Sequence, residues 1–136
     1  MRLYTYRERP DGDDRIGVGF GSDSLYALED FGLTFADMND LICNITPEQM
    51  DKLRKAPEGA KPIALDSLVR RAPIPYPMQD VVCLGINYDA HHEEAGRFNQ
   101  EAFGDRPKAI YFSKRVSEAN CDGGKIPRYE GLVNSL

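Results

Sequence analysis

Five of the nine prolines in this 136-residue chain fall between Pro57 and Pro77, and they divide it. Proline fixes its own φ, removes a backbone donor and pushes the residue before it into extended backbone. Neither a helix nor an interior strand runs through such a stretch. Ala56-Pro57-Glu58-Gly59-Ala60-Lys61-Pro62 reads as a loop, and Pro73-Ile74-Pro75-Tyr76-Pro77 as an extended connector. The expected organisation is a small N-terminal α+β domain over residues 1–72 and a second domain over residues 73–136.

In the first part, Leu3 to Arg7 suits a strand. Ile16, Val18 and Phe20 alternate with glycines, the period of a half-buried strand. Asp11-Gly12-Asp13-Asp14 between them reads as a turn, and Ser24 to Leu28 as a third strand. Thr34 is expected to cap a first helix, with Asp37 in its first turn and Phe35, Met38 and Ile42 on one face. Thr46-Pro47-Glu48-Gln49 is a stronger start signal. Thr46 caps, Pro47 takes the first helical position, Gln49 reaches back, and Met50 and Leu53 supply the apolar face. Nothing in this half carries an evident chemistry; packing or docking is its expected role.

Composition narrows the function classes. With 41% hydrophobic and 29% charged residues the chain is expected to bury a core. No apolar run approaches the ~20 residues of a membrane span. Charges crowd Met1 to Arg9 where a secretion signal is apolar, so a cytoplasmic chain without membrane contact is expected. The net charge of −5 opposes nucleic-acid binding, and Arg70-Arg71 is too short a basic run for a footprint. Cys43, Cys83 and Cys121 are odd in number and lack C-x-x-C spacing, so they read as small buried hydrophobes.

The second part holds the chemistry-bearing residues. Val81 to Ile86 is a short continuous apolar run, as in a strand covered on both faces. Asp89 is expected to cap a helix through Ala95, with Gly96 as its stop, Arg97 to Lys108 to form a polar loop, and Lys108 to Phe112 the next strand. Both histidines lie in Asn87-Tyr88-Asp89-Ala90-His91-His92-Glu93-Glu94. On a helix, His91 and Glu94 share a face. A carboxylate beside an imidazole orients it and strengthens it as a general base; the alternative is a solvated helix face.

Adjacent His91 and His92 point about 100° apart, and H-x-x-x-H spacing is absent, so direct metal ligation by them is disfavoured. Lys114 follows Ala109-Ile110-Tyr111-Phe112 at a strand end, where a lysine can stabilise enolate or carboxylate charge; the alternative is a surface lysine. Asp11, Asp13 and Asp14 lack the remaining ligands of a calcium loop and read as a solvated turn.

Val82-Cys83-Leu84-Gly85-Ile86-Asn87-Tyr88, then His91 and Glu94, then Ile110-Tyr111-Phe112-Ser113-Lys114 resemble the fumarylacetoacetate hydrolase family. The shared pattern is a strand ending in G-x-N-Y, a His and a Glu three apart, and a strand ending in F-x-K. Pro75 to Asp80 resembles the lead into that family's catalytic domain, and the first half, more loosely, its small N-terminal domain. The resemblance implies a mixed β-roll and metal-dependent hydrolysis of a C–C bond, decarboxylation or isomerisation of a small 2-oxo or diketo acid. It implies His91 as general base, Glu94 as its orienting carboxylate and Lys114 as holder of substrate charge. It further implies a magnesium or manganese ion, and a mobile lid over Asp89 to Arg106.

The family's E-x-E metal ligands are found nowhere in the chain, and Arg115 stands where a proline often follows the lysine. No residue is therefore assigned to metal. The expectation is the front of a longer enzyme, its β-roll incomplete, with little or no turnover of its own and a homo-oligomeric, dimeric state. The alternative is a non-catalytic binding or oligomerisation module.

Overall fold

The computed structural model describes residues 1–98 and 110–127. Two compact units divide the chain, one of Met1–Pro77 with the stretch from Glu118, the other of Met78–Ser117. The fold class is α+β, as expected, and every strand pair is antiparallel. Most of the expected Arg97 to Lys108 loop, and the part of the expected lid beyond residue 98, lie outside the described residues. No helix among the described residues is long and apolar enough to cross a membrane.

The first unit is built on a five-stranded sheet. Its strands are β1 (Arg2–Arg7), β2 (Arg15–Gly19), β3 (Ser24–Ala27), β4 (Ile63–Ala64) and β5 (Val69–Arg70), in the order β4-β3-β2-β1-β5. Tyr6 pairs with Arg15 and Leu3 with Val18. Alternation along the strands therefore puts Leu3, Ile16, Val18 and Tyr26 on one face and Tyr4, Tyr6, Gly17, Gly19 and Leu25 on the other.

The first face carries the larger core, where Ile16 and Val18 meet Leu28, Phe31, Leu33, Met38, Leu41 and Leu53. The second carries Tyr6, Leu25 and Leu65, with Tyr4, Ile63 and Leu68 packed alongside. The half-buried reading of β2 is thus corrected. Gly17 and Gly19 are not its solvent side but a floor on which large side chains lie. A Cβ at Gly17 would stand 2.8 Å from both Cδ atoms of Leu25, and one at Gly19 would stand 2.8 Å from the Tyr4 ring. Phe20 falls just past the strand, edge-on to Tyr26, which is itself edge-on to Phe31. The Tyr6 hydroxyl is buried without a hydrogen-bond partner, and burial pushes its pKa up.

Two short helices follow. In α1 (Met38–Asn44) the cap is Asp37, not Thr34. The Asp37 carboxylate accepts from the Asp40 N–H at 2.8 Å, and the Asp40 carboxylate accepts from the Ala36 N–H at 2.8 Å. These two bonds start the helix three residues later than the threonine would. Phe35 consequently precedes the helix, and Ile42, 55% exposed, turns outward while Met38 and Leu41 are buried. The start of α2 (Pro47–Lys52) is as expected: Gln49 and Thr46 exchange hydrogen bonds at 2.9 and 3.3 Å, and Leu53 is fully buried at its end.

Hydrogen bonds from the Ala36 N–H and the Asn44 side chain hold the Asp40 carboxyl below its ordinary value, and bonds at the start of α2 do the same for Glu48. A carboxyl with a depressed folded pKa adds stability that is complete above its unfolded pKa, about 4, and lost as pH falls through the folded value. The urea midpoint of the wild type is therefore expected to fall between about pH 5 and about pH 3 by more than that of Asp40→Asn. Equal losses would separate Asp40 from acid stability.

The three cysteines form no disulfide. Cys43 is exposed and Cys83 and Cys121 are half-buried, so the buried-hydrophobe reading is corrected. Cys43 sits on the outer side of a helix only two turns long, which has one face to bury.

Candidate functional site

The second unit presents the chemistry-bearing residues. Strands β6 (Val81–Gly85) and β7 (Ile110–Lys114) pair as an antiparallel ribbon, from Val81 opposite Lys114 to Gly85 opposite Ile110. The expected cover on both faces is not supplied by the described residues. Val82 is 73% and Tyr111 70% exposed. A two-stranded ribbon has no third layer to hide its apolar side chains, and alone it is marginal in water.

At the end of β6 the chain turns sharply. Ile86 adopts φ 51°, in the left-handed region. A β-branched residue is rarely found there, and the conformation costs of order 1–3 kcal/mol. Asn87 and Tyr88 follow, then α3 (Asp89–Phe98). The first helical bond runs from the His92 N–H to the Tyr88 carbonyl at 3.0 Å. Asp89 is thus inside the first turn rather than the cap, where its carboxylate favours the helix dipole. Gly96 does not stop the helix, which runs on to Phe98. A glycine ends a helix when the next turn offers a left-handed cap, and Gly96 is not among the glycines with positive φ.

His91 and Glu94 lie three apart on α3, on one face. His91 is half-buried and Glu94 exposed. The His91 ring sits 5.3 Å from the Tyr88 ring, tilted by 41°. No hydrogen bond joins His91 to Glu94 among the described residues. The i,i+3 spacing of Tyr88 and His91 was the available signal for this ring pair. Nothing in the letters marked Ile86, because isoleucine after an apolar run reads as more strand.

Lys114 is the last residue of β7. The antiparallel register places it opposite Val81, four residues, or roughly 13 Å, along the ribbon from Gly85 and the Ile86 turn. Its ammonium lies 5.9 Å from the centre of the Phe112 ring, two residues back on the same face. The structure therefore brings His91 and Glu94 onto one helix and sets Lys114 at the other end of the ribbon.

Among the described residues no group of three or more His, Cys, Asp or Glu side chains is gathered to hold a metal ion. Comparison with protein-family models, with curated proteins and with solved structures finds no match to this chain.

Proposed function

We infer that α3 is a proton-transfer element acting on a small 2-oxo or diketo acid, within a β-roll of the fumarylacetoacetate hydrolase type. The observation that carries this reading is the left-handed Ile86 between β6 and the helix. Local strain persists where the surroundings fix a conformation, and such positions cluster at functional sites. Here the strained residue sits within G-x-N-Y and aims the segment bearing His91 and Glu94. In this reading His91 removes a proton from the carbon next to the 2-oxo group, leaving an enolate, and returns one to it. Glu94 orients the imidazole through the tightening that a bound substrate induces. Lys114, distant along the ribbon, holds the far carboxylate of an extended diacid.

Turnover through C–C cleavage is not expected of this chain, which has no E-x-E pair. Proton removal needs only the base and the substrate. Exchange of carbon-3 protons of pyruvate and 2-oxoglutarate for solvent deuterium, followed by NMR, tests the reading. Exchange no faster than in buffer overturns it.

One observation favours a second reading, an oligomerisation module. Val81, Val82, Leu84, Tyr111 and Phe112 expose apolar surface on both faces of the ribbon, and no described strand covers its edges; contiguous apolar surface beside an uncovered edge invites another chain. Light scattering is expected to give twice the mass of one chain, and Val82→Lys with Tyr111→Lys to return it to the monomer. A wild-type monomer at every concentration removes this reading.

A further inference from the structure

Strand β5 covers β1 only opposite Tyr6 and Arg7. One further bond runs from the Arg71 N–H to the Thr5 carbonyl at 2.9 Å. Backbone groups alternate sides along an antiparallel strand, so Leu3, two residues before Thr5, turns its N–H and C=O the same way. Among the described residues no strand meets it there. Instead a cavity of about 330 Å³ borders that edge, and its walls include Arg2, Tyr4, Arg70, Arg71 and Asp122.

Arg2, Arg70 and Asp122 line the cavity together with Arg71, whose charge is already met by carboxylates outside the cavity wall. Arg71 is 14% exposed and fixed in place by Asp14 at 3.1 Å and Glu118 at 2.6 Å. Arg70 is half-exposed and pairs with Asp122 at 3.0 Å. Asp122 lies in the tight turn from Cys121 to Gly124, closed by a 2.9 Å bond and by Gly123 at φ 72°. A carboxylate of the chain itself is thus already seated on an arginine of this cavity. An exposed ion pair of this kind is weak and yields readily to a competitor.

We propose that this cavity binds a small organic acid, whose carboxylate replaces Asp122 on Arg70 and is met by Arg2 and by the edge of β1 at Leu3, which no described strand covers. Guanidinium groups can match carboxylates with two parallel hydrogen bonds, and Asp122 meets Arg70 through one 3.0 Å ion-pair contact, leaving a better-aligned carboxylate room to compete. The volume is at the low end for ligand pockets, fitting an acid of a few carbons rather than a nucleotide. Asp122 is then a built-in competitor that sets the affinity. The site stands apart from the His91 reading and does not depend on it.

Titration of the full chain with succinate, and separately with inorganic phosphate, tests the proposal, with amide shifts of Leu3 and Arg70 as the readout. Succinate is expected to saturate those shifts. Asp122→Asn is expected to tighten succinate binding about two- to five-fold by removing the competitor. Asp51→Asn, an equal charge change outside the cavity, is expected to leave it unchanged. Arg2→Ala with Arg70→Ala, both at exposed positions, is expected to abolish binding while the rest of the amide spectrum stays in place. The proposal is overturned if succinate produces no saturable shift, if phosphate alone binds, if Asp122→Asn fails to tighten binding, or if the double arginine variant still binds.

Discussion

Leu25→Ala is expected to cost the N-terminal unit about 3–5 kcal/mol of stability. Leu25 is fully buried, and it lies directly on the backbone of β2 because Gly17 has no side chain. Both of its Cδ atoms occupy the space a Cβ at Gly17 would need, with the Tyr6 ring edge 3.1 Å from the same point. The strand pairing on either side keeps the cavity from collapsing, which is the condition for a cost near the top of the range. Gly17→Ala is expected to cost about 1–3 kcal/mol by overpacking. On a solvent-facing strand the same change would raise stability, since glycine weakens a strand by about 0.5–1 kcal/mol relative to alanine. The sign therefore reports whether that face is covered. The double variant is expected to lose less than the sum of the two, because the new methyl group fills part of the space the leucine leaves. Urea unfolding followed by far-UV circular dichroism measures all three, and an additive pair would mean that this contact does not set the cost.

The same glycines show where the letters were sufficient and where they were not. Period-two alternation marked β2, because side-chain direction in a strand is a purely local property. It could not tell a glycine facing water from one lying beneath a tyrosine, because that depends on what the opposite layer brings. The Thr46 start was legible since every partner lies within four residues. The Asp37 start was missed in favour of Thr34. Two residues with capping side chains competed there, and the winner is the one whose neighbour Asp40 can bond back to Ala36. In the second unit the i,i+3 relation of His91 and Glu94 follows from helix geometry alone. The distance of Lys114 from them does not, because it is set by the register between β6 and β7. That register required knowing which end of β7 meets Gly85.

His91→Ala is expected to lower deuterium exchange into a 2-oxo acid by about 10²–10⁴-fold, the usual worth of a positioned general base. Glu94→Gln keeps the shape and removes the charge, so its loss is expected to be smaller. The pair His91→Ala with Glu94→Gln is expected to be no worse than His91→Ala alone, because an orienting group has nothing left to orient. Independent, additive losses would break the partnership. Lys114→Ala is expected to raise the concentration of a long 2-oxo diacid such as 2-oxosuberate needed for half-maximal exchange and to leave pyruvate unaffected, since only the long diacid carries a carboxylate distant from the reacting carbon. Ile86→Gly separates strain from function. Glycine adopts positive φ without penalty, so the variant is expected to gain stability of order 1 kcal/mol while exchange falls, as the turn no longer fixes the direction of α3. A variant that becomes more stable and keeps its full exchange rate would mean that the conformation of Ile86 serves packing alone.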